Sequence, residues 1–140
     1  MRRLALIYLL FTSLLPVSEL QAQVMFPLSE GERIRYAANI EMTGAYISGI
    51  CILLKEDGII KGCLFNEFGV TALDFTFSPE REKVKLHHVM KMMDKWYIRR
   101  VLRNDLAQMM IFLQNGKTAY RNERRKITYQ FTPFADEVSE

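Results

Sequence analysis

The chain is short of most features that announce a function. Two cysteines in 140 residues exclude a disulfide-dense scaffold, and alone they cannot complete a four-ligand zinc site. The two histidines, His87 and His88, are adjacent; on a regular strand they point to opposite faces and cannot chelate one metal together. No further Cys/His cluster supports a metal, and no cofactor is expected. Charge of one sign is also scarce. The 19 Lys+Arg against 16 Asp+Glu leave a net charge of +3, spread too evenly for nucleic acid to be the main partner. There is no G-x-S-x-G elbow, no phosphate-binding glycine loop and no carboxylate pair at a recognisable acid/base spacing. An enzyme is therefore not expected. The competing possibility is a hydrolase or isomerase site assembled from distant residues, which would need Asp74 or His88 beside another titratable group in a polar pocket.

What is present is an ordinary globular composition, 49% hydrophobic and 25% charged, in a length that suits one domain. Residues 1–22 read as a cleaved secretory signal peptide, with Arg2 and Arg3 ahead of an apolar run over 4–15, Pro16, and a cut after Ala22. A run of that length falls short of the roughly 20 residues of a spanning helix; an uncleaved anchor is the competing reading. No cysteine lies at the junction for lipid attachment. The chain is then expected to be periplasmic and released, with residues 23–140 as a single domain. Loss of Arg2, Arg3 and Glu19 leaves 17 basic and 15 acidic residues, a net of +2.

The first half of that domain has a period of two. Ile34, Tyr36, Ala38, Ile40 and Met42 alternate with Arg33, Arg35, Asn39 and Glu41, which predicts a half-wet strand. Residues 46–55, apolar on both faces, predict a central or doubly covered strand. Glu56-Asp57-Gly58 marks a hairpin turn, and strands follow over 59–66, 70–77 and 83–89, with Val84, Leu86 and His88 sharing a face. At Met90 the period changes. Apolar residues three or four apart as far as Leu113 predict an amphipathic helix, which Asn104 could split by capping a second helix at Asp105. Asn115-Gly116 is its stop, and one or two strands lie in 118–132. The expected fold is α+β, a curved antiparallel sheet forming an unclosed half-barrel around one or two amphipathic helices.

The stretches Ile47-Ser48-Gly49-Ile50-Cys51-Ile52-Leu53 and Ile60-Lys61-Gly62-Cys63-Leu64-Phe65, followed by Phe68-Gly69-Val70-Thr71-Ala72-Leu73-Asp74-Phe75 and Val84-Lys85-Leu86, resemble the periplasmic lipoprotein-carrier superfamily, LolA/LolB-like. The resemblance lies in the order of strands and glycines over about residues 33–113. It implies an unclosed barrel covered by helices, with a greasy cavity for acyl chains. The absence of a lipid-attachment cysteine argues against the outer-membrane receptor type and leaves the soluble carrier type or an unrelated relative, and the chain is shorter than typical carriers.

The expected ligand-lining residues are Phe65, Phe75, Phe77, Met93, Trp96, Tyr97, Met109 and Met110, because soft Met side chains repack around varied apolar guests. The competing reading is that the same residues fill a close-packed core. Arg99, Arg100 and Arg103, with a second basic cluster at Arg121, Arg124, Arg125 and Lys126, are candidates for contact with an anionic headgroup, a membrane surface or an acidic envelope partner. They serve equally as a solvated helix face and a charge-protected edge strand. Cys51 and Cys63 flank the 56–58 turn: a three-residue turn sets them face to face within disulfide range, and a two-residue turn does not. The functional expectation is a non-enzymatic exported carrier or binding protein for an acyl chain, lipid or lipoprotein. The alternative is a close-packed structural or protein-interaction module of the envelope, using the same fold without a ligand cavity.

Overall fold

The computed structural model describes residues 26–134; the signal-peptide reading of residues 1–22 lies outside them. Period-two alternation builds Arg33–Met42 (β1), Ala45–Glu56 (β2), Ile59–Asn66 (β3), Thr71–Ser78 (β4) and Lys83–Val89 (β5). A 3-10 turn at Lys91–Met93 leads to one helix, Trp96–Gln114 (α1), and then to Ala119–Asn122 (β6) and Ile127–Pro133 (β7). All seven strands form one antiparallel sheet in the order β5-β4-β3-β2-β1-β7-β6. β2, apolar on both faces, is the middle strand. β7 returns to pair with β1, placing Ile40 opposite Tyr129 and Ala38 opposite Phe131.

Two irregularities bend the sheet at its β3–β4–β5 side. Leu64 pairs with Leu73 while Phe65 pairs with Thr71, leaving Ala72 as an extra residue. Asp74 pairs with His88 while Phe75 pairs with Leu86, leaving His87 as another. Bulges increase local twist and bend a strand, and this sheet curls around the helix. α1 touches both edge strands, β5 and β6, so it fills the gap that keeps the half-barrel open and covers the edges. Phe112 meets the Tyr120 ring edge-on, 5.2 Å between centroids, which fastens the helix to β6.

The core lies between the concave face and the helix stripe of Leu102, Leu106, Met109, Met110 and Leu113. Tyr36, Ile40, Leu53, Phe75, Phe77 and Phe131 meet it from the sheet. Gly62 is needed there: a Cβ at that position would run into the Phe75 ring.

Three local expectations are corrected. The helix begins at Trp96, because the chain breaks from a 3-10 turn at Asp94 and Lys95. It continues through Asn104 and Asp105 without a second start, since the buried stripe carries on across them through Leu102, Asp105, Leu106 and Met109. His88 does not share a face with Val84 and Leu86. The bulge at His87 shifts the register, so Val89 turns inward and both histidines are exposed. The helix stops at Asn115-Gly116, where Gly116 (φ 79°) takes the left-handed turn. Lys117 N–H donates to the Phe112 carbonyl and Gly116 N–H to the Leu113 carbonyl, the pattern of a Schellman cap.

Candidate functional site

The turns between β1 and β2, β3 and β4, and β6 and β7 all lie at one end of the half-barrel, together with the β5–α1 connection and the first turn of α1. Their side chains distinguish this end. Tyr46, Phe68, Val70, Met92, Trp96 and Tyr97 are exposed here, whereas Leu28 and Ile59, also exposed, lie at the other end. Trp96 is 76% and Phe68 83% exposed, large apolar areas for turns in water. Local chemistry holds them out. Asn66 Oδ1 accepts the N–H groups of Phe68 and Val70 at 3.0 Å each, and Gly69 (φ 79°) completes the turn, leaving Phe68 at its tip. Trp96 and Tyr97 occupy the first helical turn, with their rings edge-to-face at 5.7 Å.

Three adjoining grooves lie between these elements. One of about 300 Å³ runs from the β1–β2 and β3–β4 turns to the β5–α1 connection, with Tyr46, Phe68, Met90, Met92 and Met93 in its wall. A second, of about 240 Å³, is walled by Met42, Tyr97, Ile98, Val101, Leu102 and Ile127. Met42 borders both. The third, about 470 Å³, joins the second at Tyr97, Val101 and Arg125, and adds Trp96, Arg100, Asn104, Asn122 and Arg124. The surface therefore passes from an apolar trough to a cationic one. Its first and third grooves lie within the size range of small-molecule sites.

A polar network supports the cationic side. Asp105 is 3% exposed on the core face of α1. Its carboxylate accepts Asn122 Nδ2–H at 2.9 and 3.1 Å and the Tyr129 hydroxyl at 2.7 Å. Asn122 Oδ1 in turn accepts Arg125 N–H at 3.1 Å, so a buried carboxylate fixes the turn that carries Arg124 and Arg125. Burial first, then the Asp105 carboxylate, pushes the Tyr129 hydroxyl well above its ordinary range, and the same two causes raise Tyr120.

The expected ligand-lining residues divide sharply. Trp96 and Tyr97 are exposed at the mouth, and Met93, though buried, forms part of a groove wall. Phe75, Phe77, Met109 and Met110 lie in the close-packed core, none more than 2% exposed. Phe65 is half-buried on the convex face, opposite Ile50. Of the helix arginines, Arg100 reaches the groove; Arg99 pairs with Asp94 at 2.9 Å, and Arg103 is exposed and outside the groove walls described above. The fold instead brings Arg124 and Arg125 to Arg100. Cys51 and Cys63 follow the two-residue branch: Asp57 (φ 57°) and Gly58 (φ 75°) form the turn, Cys51 pairs with Leu64 and Ile52 with Cys63. The two thiols point to opposite faces and both are free. Burial, then the neighbouring Asp74 carboxylate, pushes the Cys63 thiol up to about 11.

Neither the Asp105 network nor the apolar strand turns at Tyr46 and Phe68 are foreseen from sequence. Both left a trace: Asp105 falls on the stripe between Leu102 and Leu106–Met109, where a charge needs partners, and Phe68 sits at the tip of a turn. Among the described residues no group of three or more His, Cys, Asp or Glu is placed to hold a metal, and no helix is long and apolar enough to cross a membrane. The fold and mouth define an α+β half-barrel with an apolar and cationic open end. Compared with protein-family models, curated proteins and solved structures, the chain matches none.

Proposed function

We propose that this chain is an exported, periplasmic, non-enzymatic carrier or binding protein of the LolA/LolB-like kind, which takes an acyl chain of a lipid or lipoprotein at the open end of its half-barrel. The observation that carries the reading is the gathering of Tyr46, Phe68, Val70, Met92, Trp96 and Tyr97 in the open at that end, around adjoining grooves. Keeping these side chains in water forgoes about 25 cal/mol for each Å² of apolar surface that a guest would cover. Met42, Met90, Met92 and Met93 make the trough adaptable to chains of different shape. The guest lies in the mouth and not between helix and sheet, where Phe75, Phe77, Met109 and Met110 are already packed.

That packed interior favours a second reading, an envelope interaction module whose mouth receives the apolar segment of a protein. One experiment separates them. The purified protein is stripped of lipid, incubated with membrane-lipid extract and examined by native mass spectrometry, with displacement of a fluorescent acyl probe in parallel. The carrier reading expects lipid adducts of defined mass and saturable probe binding that Phe68→Ser and Trp96→Ala weaken together. Absence of both adducts and probe binding overturns it and leaves the interaction module.

A further inference from the structure

We infer that the groove between the start of α1 and the β6–β7 turn is a subsite for a phosphate group, receiving the headgroup of the amphiphile whose chain occupies the neighbouring apolar trough. This rests on the acyl-binding reading above and adds the ligand's polar end. Arg100 of α1 and Arg124 and Arg125 of the turn border one groove of about 470 Å³. Among the described residues these three guanidinium groups have no ion-pair partner; Arg103, one turn along α1, has none either but lies outside the groove, while Arg99 pairs with Asp94, and Arg121 with Glu123 and the Thr128 hydroxyl. Three guanidinium groups without an ion-pair partner among the described residues therefore converge on one groove.

Guanidinium groups present planar forks of donors that match phosphate oxygens, and three in one groove favour a doubly charged group over a single carboxylate. The site is also held in advance. Asp105 holds Asn122, and Asn122 holds the Arg125 backbone, so the turn pays little ordering entropy on binding. Continuity fixes the class of ligand: Tyr97, Val101 and Arg125 border both this groove and the apolar one, which suits a molecule with a phosphate head and an apolar tail. Free phosphate shares the head chemistry and lacks the tail.

The test is calorimetric titration of the purified protein with dodecyl phosphate, dodecyl maltoside and inorganic phosphate, the amphiphiles below their micelle concentrations. Dodecyl phosphate is expected to bind about tenfold more tightly than dodecyl maltoside at low salt, with the advantage shrinking in about 0.5 M salt. The Arg100→Gln, Arg124→Gln double variant should lose that advantage, while Lys83→Gln, a charge removed at the far end of the sheet, should keep it. Equal affinity for the two amphiphiles overturns the phosphate subsite and leaves the acyl reading standing. Inorganic phosphate binding as tightly as dodecyl phosphate overturns the headgroup assignment in favour of free phosphate. No binding of either amphiphile overturns the acyl reading, and the headgroup with it.

Discussion

Replacing Asp105 with alanine removes the acceptor for three hydrogen bonds, at 2.7, 2.9 and 3.1 Å. Tyr129 is fully buried, so its hydroxyl has no water to turn to. Asn122 is half-buried and recovers part of its bonding from solvent. A stranded buried donor costs roughly 1–3 kcal/mol; counting Tyr129 in full and Asn122 at the low end gives about 2–4 kcal/mol for Asp105→Ala. That is a large share of the roughly 5–15 kcal/mol that holds a domain folded. Asp105→Asn keeps the shape and one acceptor oxygen and removes the desolvated charge, so its cost is about 1 kcal/mol. Urea unfolding followed by circular dichroism reads both as shifts in midpoint at constant slope. A cycle with Tyr129→Phe should show coupling, because the second change costs less once the first is made. If Asp105→Ala moves stability by less than about 0.5 kcal/mol, the range of an ordinary surface change, the buried network does not hold the turn.

Other consequences follow from the same geometry. Tyr36 and Tyr129 ionise far less readily folded than unfolded, and so do the Cys51 and Cys63 thiols; the unfolded chain then holds fewer protons once pH passes the ordinary values of 9.0 for the thiols and 10.0 for the tyrosines, so this stability is full below those values and falls as pH rises through them. Urea midpoints measured between pH 8 and 11, in steps of about one unit, should decline only at the alkaline end, and a flat profile contradicts the assignment. Both thiols should resist a thiol reagent in the native protein at pH 7.5, about 3.5 units below the value of about 11 for Cys63; two should react per chain after unfolding without reductant, whereas none reacting would mean a disulfide and a different β2–β3 register. Gly49→Ala should destabilise more than Gly62→Ala, because the new Cβ meets the Phe65 backbone carbonyl at the first and a side-chain ring at the second; overpacking costs typically 1–3 kcal/mol, and the reverse order in thermal melts would show that the β2–β3 spacing is wrong. Phe68→Ser should leave the melting temperature nearly unchanged, since the side chain is 83% exposed, and a large loss would mean that Phe68 serves the fold.

The half-barrel was legible because its signals are local. Alternation in 33–42, the Asp57-Gly58 turn and the stripe from Leu102 to Leu113 each name an element without reference to the rest. The middle position of β2 could be read from its two apolar faces. Bulges could not: nothing near His87 announces that the strand gains a residue there, and a one-residue shift reverses every side chain beyond it. The same limit governs the candidate site. Trp96 and Met110, 14 residues apart, fall on nearly the same side of α1 by helical spacing, yet Trp96 stands in water at the open end while Met110 lies against the core. Arg124 and Arg125 read as protection for an edge strand until the sheet closes them onto Arg100, because convergence of distant turns is a property of topology. The Asp105 network has the same origin, drawing its members from α1, β6 and β7.

Trp96 is the chain's only tryptophan and stands 76% exposed in the mouth, so its emission reports directly on whether an apolar guest lies there. On titration with dodecyl phosphate below its micelle concentration, the emission should shift to shorter wavelength and saturate. An emission maximum that stays at its fully hydrated position throughout, while the protein remains folded, would contradict binding in the mouth.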